Sequence, residues 1–273
     1  MTTAIAILSL IHYYYHNKNI SNENFFMNQI LINRIKQIAV ALRGKIKEIV
    51  FDILFLRICL NCKNSLNGEK ESICDDCLSL IKMNSAFFCP ICRGRLPKME
   101  RTCHPKSSFI LAPAGEYSDP IFQKIIQSFK YQGIENLAPV LGKIIIKYIK
   151  NCKLEIENCV IIPIPLHKSR EKQRGFNQSK LLAKYIANYF NLSFIESLER
   201  IKKTKPQAQI KNKEERLKNI SGCFKIKNSE FVKGKNIILV DDVFTTGDTI
   251  NEAVKILKEN NAKDIIALVA AKV

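Results

Sequence analysis

Acidic residues are scarce in this chain: 25 Asp and Glu stand against 43 Lys and Arg in 273 residues, a formal net charge of +18. That deficit disfavours cationic partners and points to polyanionic ligands, either phosphates or nucleic acid. Part of the excess reflects a general abundance of Lys, Asn and Ile rather than a function. Long apolar runs are missing too. The mostly apolar stretch 4–15 is too short to span a bilayer and lacks the basic flank and small-residue cleavage site of a secretory leader, so a cytoplasmic protein is expected. Met27 precedes a cleaner amphipathic stretch, 30–56, so the start is expected at Met1 or Met27 and residues 1–48 read as an extension. Cysteine is nearly absent outside one window, with seven of ten between Cys59 and Cys103. Cys152, Cys159 and Cys223 are isolated and are expected to behave as small apolar residues. What remains, 47% hydrophobic and 25% charged residues, is ordinary for a soluble chain with room for one α/β core and a smaller module.

The clustered cysteines are paired as C-x-x-C, which points to metal rather than disulfides. Cys59 and Cys62 form one knuckle, and Cys74 and Cys77 form a second after a short spacer. Four thiolates in that arrangement suit tetrahedral zinc in a closed structural site, which orders a segment with little core of its own. A redox dithiol would sit at a helix start in a thioredoxin-like unit, a context this segment lacks. Cys89-Pro90-Ile91-Cys92 is a third knuckle, followed by Cys103; Lys106 stands where a fourth cysteine would fall, and His104 is the remaining donor. The spacing leaves one or two zinc ions open. The expected organisation is an extension over 1–48, a cysteine-rich zinc-binding module over 49–108 and an α/β body over 109–273.

In the body, strand and helix patterns alternate. A strand is predicted over 109–117, then a helix over 120–131 capped by Asp119 with Pro120 in its first turn, and a second helix over 135–151. The first helix is expected to bury Ile121, Ile125, Ile126 and Phe129. A short strand over 160–164 leads to Pro163, Pro165 and His167, with Lys168, Arg170, Lys172 and Arg174 supplying positive charge in the loop behind it. The helix that follows has Leu181, Leu182, Tyr185, Ile186, Tyr189 and Phe190 at helical spacing. The basic segment 200–218 reads as a helix-bearing insertion or a mobile flap, and Lys205, Gln209 and Arg216 are its candidate ligand residues.

Residues 237–250, I-I-L-V-D-D-V-F-T-T-G-D-T-I, carry the sharpest signal. Four branched apolar residues read as a strand buried on both faces, with the acids Asp241 and Asp242 directly after it. A turn of Thr245, Thr246, Gly247, Asp248 and Thr249 then opens an amphipathic helix. Unpaired N–H groups at a helix start attract phosphate, a glycine permits close approach, and the threonines offer hydroxyls. Acids beside a phosphate cradle need something else to hold, such as sugar hydroxyls or a metal. A phosphorylated sugar meets both demands.

This pattern resembles the phosphoribosyl pyrophosphate (PRPP) loop of type I phosphoribosyltransferases. The resemblance implies that Asp241 and Asp242 hold the ribose hydroxyls and act at the reacting sugar. Thr245, Thr246, Gly247, Asp248 and Thr249 would wrap the 5′-phosphate, while Pro163, Pro165, His167 and Arg174 bind the pyrophosphate with Mg²⁺. Lys205 and Arg216 would lie on a closing flap. The cysteine knuckles, P-I-P-L-H…R-x-x-x-R-G-F-N-Q and V-D-D-V-F-T-T-G-D-T together resemble the competence protein F family. That likeness implies a mostly parallel sheet flanked by helices, a zinc-binding module and Mg²⁺ with PRPP. It also implies a role in bringing single-stranded DNA inward with competence-machinery proteins, and it leaves a homo-oligomer open. The acceptor of a phosphoribosyl group is not implied, so a non-catalytic PRPP-sensing or DNA- and protein-binding module is the alternative.

Overall fold

The computed structural model describes residues 58–66, 72–97, 103–105, 107–204, 210 and 212–273, all within one compact unit, Ile58–Val273. The extension 1–48, Met27, Lys106, Lys205 and Gln209 lie outside the described residues.

In chain order the elements are α1 (Asp75–Ser79), β1 (Phe87–Phe88), β2 (Arg95–Leu96), β3 (Ile110–Glu116), α2 (Pro120–Tyr131) and α3 (Leu137–Asn151). They continue as β4 (Cys159–Pro163), α4 (Lys168–Arg174), α5 (Gln178–Phe190), β5 (Ser193–Phe194) and β6 (Leu198–Arg200). The last are α6 (Lys213–Ile220), β7 (Phe224–Ile226), β8 (Asn236–Phe244), α7 (Asp248–Glu259) and β9 (Ile265–Lys272). Seven strands form one sheet in the order β2-β1-β3-β9-β8-β4-β5, and β6 pairs with β7 separately. From β3 to β5 every pairing in this sheet is parallel, while the β1–β2 and β1–β3 contacts and the separate β6–β7 pair are antiparallel. The mostly parallel sheet flanked by helices is therefore present. No described helix is long and apolar enough to cross a membrane.

Alternation along β8 explains the layers. Ile238 and Val240 face a core built with α2, α3 and α5, while Ile237 and Leu239 face one built with α7, β6 and β7. Burial on both faces is what makes the strand read as a continuous apolar run. The first core also takes in Cys59, Ile73, Cys77, Ile81, Phe87, Cys89 and Leu96, so the cysteine segment shares the hydrophobic core of the sheet.

Helix α2 keeps the predicted bounds. Asp119 Oδ1 accepts from Ile121 N–H and Phe122 N–H, each at 3.0 Å, with Pro120 at the first helical position. Ile125, Ile126 and Phe129 are buried as expected, Ile121 only partly, and Phe122 is fully buried in addition. Three expectations need correction. Strand β8 does not stop before the acids, because its pairing with β9 continues through Asp241↔Val269 to Phe244↔Lys272. The basic stretch after β4 is not a loop but helix α4, with His167 as its N-cap. Tyr189 in α5 is exposed, its hydroxyl accepting from Lys150 Nζ, while Leu182 and Ile186 go fully inside.

Candidate functional site

Strands β4 and β8 are neighbours, but the chain leaves their C-terminal ends in opposite directions. From β4 it runs through α4 and α5 to β5 at one edge; from β8 it runs through α7 to β9 on the other side. Such a switch opens a crevice beyond the strand ends, where open α/β sheets take ligands. The pairing Pro163↔Val240 puts the turn after β4 beside the acids of β8. Ile164 N–H donates to Val240 O at 2.9 Å and Asn177 Nδ2 donates to Ile164 O at 3.1 Å, so this turn is fastened on both sides.

Both acids have protein partners. Ser179 Oγ donates to Asp241 Oδ1 at 2.8 Å, and Lys130 Nζ lies 2.9 Å from Asp242 Oδ1. Burial and the adjacent Asp242 carboxylate push the Asp241 carboxyl up to about 7, against the hydrogen bonds from Ser179 and the Asp242 N–H. Burial works against the charge on Lys130, but Asp242 outweighs it and raises the ammonium above its ordinary range. Lys130 ends α2 and Ser179 opens α5, so two helices meet at the acid pair.

Beyond β8 the chain turns at Gly247, whose φ of 87° lies in the left-handed region. A Cβ there would stand 2.7 Å from the Phe244 ring, so glycine is required by conformation and by space together. Helix α7 begins at once, and no side chain caps its start, which leaves its first N–H groups to a ligand or water. Thr245 is exposed, and Thr246 and Thr249 are half-buried. Asp248 is directed elsewhere: its Oδ2 accepts from Thr246 Oγ1 at 2.6 Å and lies 3.4 Å from Arg216 Nε. It braces the turn and ties it to α6.

The third component is cationic. Arg170 Nη2 donates to Thr204 O at 2.7 Å, and Arg200 Nη2 donates to Thr204 Oγ1 at 2.5 Å. Arg200 is buried, its guanidinium 5.4 Å from the Phe224 ring centroid, and its Nε finds no hydrogen-bond partner among the described residues. Burial, then Arg200 and Arg174, press the Arg170 guanidinium below its ordinary range. Arg174 donates to Gln178 Oε1 at 3.0 Å and sits 5.4 Å from the ring centroid of Tyr131, an exposed side chain. Guanidinium groups gathered in this way, one with an orphaned donor, suit an anion.

Among the residues singled out from sequence, Asp241, Asp242, Pro163, Pro165 and Arg174 gather around this crevice, with the turn 245–249 at its β8 side. His167 caps α4 with Nδ1, which accepts from Ser169 N–H at 3.2 Å. Lys205 lies outside the described residues, and Arg216 reaches the turn from α6. Sequence reasoning missed Lys130, Ser179 and Arg200. Lys130 carried a weak signal, a charge closing an apolar helix just before Gly133; the other two carried none.

The cysteines form two groups, Cys59, Cys62, Cys74 and Cys77, and Cys89, Cys92, Cys103 and His104, each with its donor atoms within 4.8 Å of one another. Cys62 and Cys74 sulfurs are 3.7 Å apart and Cys92 and Cys103 sulfurs 4.0 Å; a tetrahedral ion with Zn–S of about 2.3 Å sets sulfurs roughly 3.8 Å apart. His104 Nδ1 lies 3.4 Å from Cys89 Sγ, so the adjacent Cys103-His104 pair reaches one place. Burial opposes a thiolate at Cys59, but N–H groups of Cys74, Cys62 and Asn61 outweigh it and bring the thiol down to about 6. The same contest brings Cys89 down to about 7, while hydrogen bonding to Cys89 pushes Cys103 up to about 11. Both groups fit a metal ion.

The phosphoribosyl transferase domain model matches residues 131–273, more than half of the chain. Competence protein F of Haemophilus influenzae is 28% identical over 219 residues, covering 76% of this chain and 93% of that protein. Competence protein ComFC of Bacillus subtilis is 29% identical over 225 residues, covering 74% and 89%. The DNA utilization protein YhgH of Escherichia coli O157:H7 is 25% identical over 213 residues, covering 76% and 87%. The chain belongs to the phosphoribosyl transferase domain family, as a phosphoribosyltransferase-like protein of the competence protein F type.

Proposed function

We propose that the crevice between β4 and β8 binds PRPP. The observation that carries this reading is the meeting, at one switch point, of an acid pair, an uncapped helix start and a cluster of arginines. The N–H groups and hydroxyls of 245–249 take the 5′-phosphate, and Asp241 and Asp242 accept hydrogen bonds from the ribose hydroxyls. Arg170, Arg174 and Arg200 face the pyrophosphate together with the N–H groups of Leu166 and His167, since Pro163 and Pro165 have none and that of Ile164 is held by Val240 O. In a transfer reaction the C1–O bond breaks, pyrophosphate leaves with the electron pair, and a nucleophile such as an amine or a base nitrogen adds to C1. The arginines stabilise the charge that develops on the leaving group, and the acid pair fixes the ring while positive charge spreads at C1. Mg²⁺, held with the substrate beside Asp241 and Asp242, would supply further charge neutralisation. The cysteine groups hold structural zinc.

The relatives' names favour a second layer, a competence-related role in handling DNA. Exposed Tyr131 beside Arg174 offers the aromatic and cationic surface that single strands stack on.

Calorimetric titration with PRPP, with and without Mg²⁺, tests the first layer. Binding that needs Mg²⁺ and is lost in Asp241→Asn/Asp242→Asn is expected; a folded wild type that takes up no PRPP would refute it. Single-strand binding should weaken steeply with salt and survive the same double substitution.

A further inference from the structure

The first and third cysteine knuckles close in the same way. Cys59 N–H donates to Asn64 O at 2.8 Å and Lys63 N–H to Cys59 O at 3.1 Å; Cys89 N–H donates to Gly94 O at 2.9 Å and Arg93 N–H to Cys89 O at 2.8 Å. The residue after the second cysteine takes a left-handed conformation in both, with φ of 67° at Lys63 and 60° at Arg93. From that position Arg93 reaches the C-terminal ends of the central strands β8 and β9. Its Nη2 donates to Thr245 O at 2.8 Å and its Nη1 to Val273 O at 3.1 Å, and the guanidinium stands 6.0 Å from the Phe244 ring centroid.

These contacts converge on the turn. Val273 N–H donates to Phe244 O at 2.9 Å, so both carbonyls held by Arg93 belong to the point where β8 ends against the chain leaving β9. The Phe244 ring fills the space beneath Gly247. The Thr245 carbonyl and the Thr246 N–H share one planar trans peptide and point in opposite directions. Holding the carbonyl therefore sets the direction of that N–H, one of the donors of the turn.

We propose that Arg93 is a positioning residue for the 245–249 turn, fixing the Thr245–Thr246 peptide plane from the Cys89/Cys92 knuckle, so that the second cysteine group holds the phosphate-binding geometry. The proposal rests on the reading of 245–249 as a phosphate cradle. It gives the second group a task beyond ordering its own knuckle.

The test is amide hydrogen exchange on the full chain as purified with its metal, for wild type, Arg93→Ala and Arg93→Lys, alongside zinc content and PRPP titration with Mg²⁺. In Arg93→Ala the hydrogen-bonded amides that border the turn, Asn251 N–H on Gly247 O and Val273 N–H on Phe244 O, exchange about tenfold faster while β4 and the middle of β8 are unchanged, zinc content is kept, and PRPP affinity falls about tenfold. Arg93→Lys, which keeps the charge but not the fork that bridges two carbonyls, falls between the two. Cys92→Ser reproduces the exchange pattern of Arg93→Ala. Unchanged exchange at Asn251 and Val273, or acceleration spread equally over β4 and β8, overturns the proposal. Because exchange needs no ligand, a wild type that does not bind PRPP would overturn the phosphate reading while the positioning role is still judged.

Discussion

At the scale of single residues, Asp241 holds an unusual position. Its carboxyl is pushed up to about 7 from an ordinary 3.8, by burial first and by Asp242 second. A raised carboxyl means that the folded chain binds more protons than the unfolded one between about pH 4 and 7. Stability in the ligand-free state therefore falls as pH rises through that window, and the penalty is complete above the folded value. Asp241→Asn, which keeps an oxygen for Ser179, should remove that decline and stabilise the free protein near neutral pH by about 1–3 kcal/mol, the half-buried position holding the gain below the full shift. Urea unfolding at pH 4.5 and 7.5 measures it; equal stabilisation at both values would contradict the assignment. The acids themselves were legible in the sequence because a buried strand rarely ends in two of them. Their partners were not. Ser179 stands 62 residues before Asp241, and no local pattern joins the two.

At the scale of elements, an ion pair joins α6 to the 245–249 turn. Arg216 Nε lies 3.4 Å from Asp248 Oδ2, with side-chain exposures of 21% and 9%. Arg216→Ala should leave Asp248 with Thr246 alone, cost about 1–2 kcal/mol and loosen α6, seen as faster amide exchange over 213–220 with α7 little changed. Equal protection of α6 in the variant would mean that the contact holds nothing. Sequence reading found the basic segment and left it open between an insertion with a helix and a flap. The charge pattern of α6 has no strong apolar face, so periodicity could not place it. The Asn212 side chain marks its start by accepting from Glu214 N–H at 2.8 Å, a cap that Asn-x-Glu spells out only once the helix is known. Strand β8 shows the opposite error. Acids are poor strand formers, yet Asp241 and Asp242 stay in the ladder because β9 continues beside them.

At the scale of the whole molecule, the cysteine segment and the sheet share a core. Cys59 and Cys77 lie in the same buried cluster as Phe122, Leu141 and Val240. Stripping metal with a strong chelator should therefore lower the melting temperature of the described unit in one cooperative step rather than release a separate finger. Calorimetry checks this, and two transitions with the second at the original temperature would show the segment to be independent. What the sequence by itself determined is local: the C-x-x-C pairs, the capped start of α2, the doubly buried strand and the acid-and-threonine turn. Each depends on neighbours a few residues apart, whose spacing carries the period of a helix, a strand or a metal knuckle. Only the tertiary structure decided which distant groups meet there. Lys130 reaches Asp242 across the end of α2, Arg200 reaches Thr204 beside Arg170, and Arg93 reaches Thr245 over 152 residues. Contacts of that kind are set by the packing of helices on a sheet, and long flexible cations leave no periodic trace of where they will point.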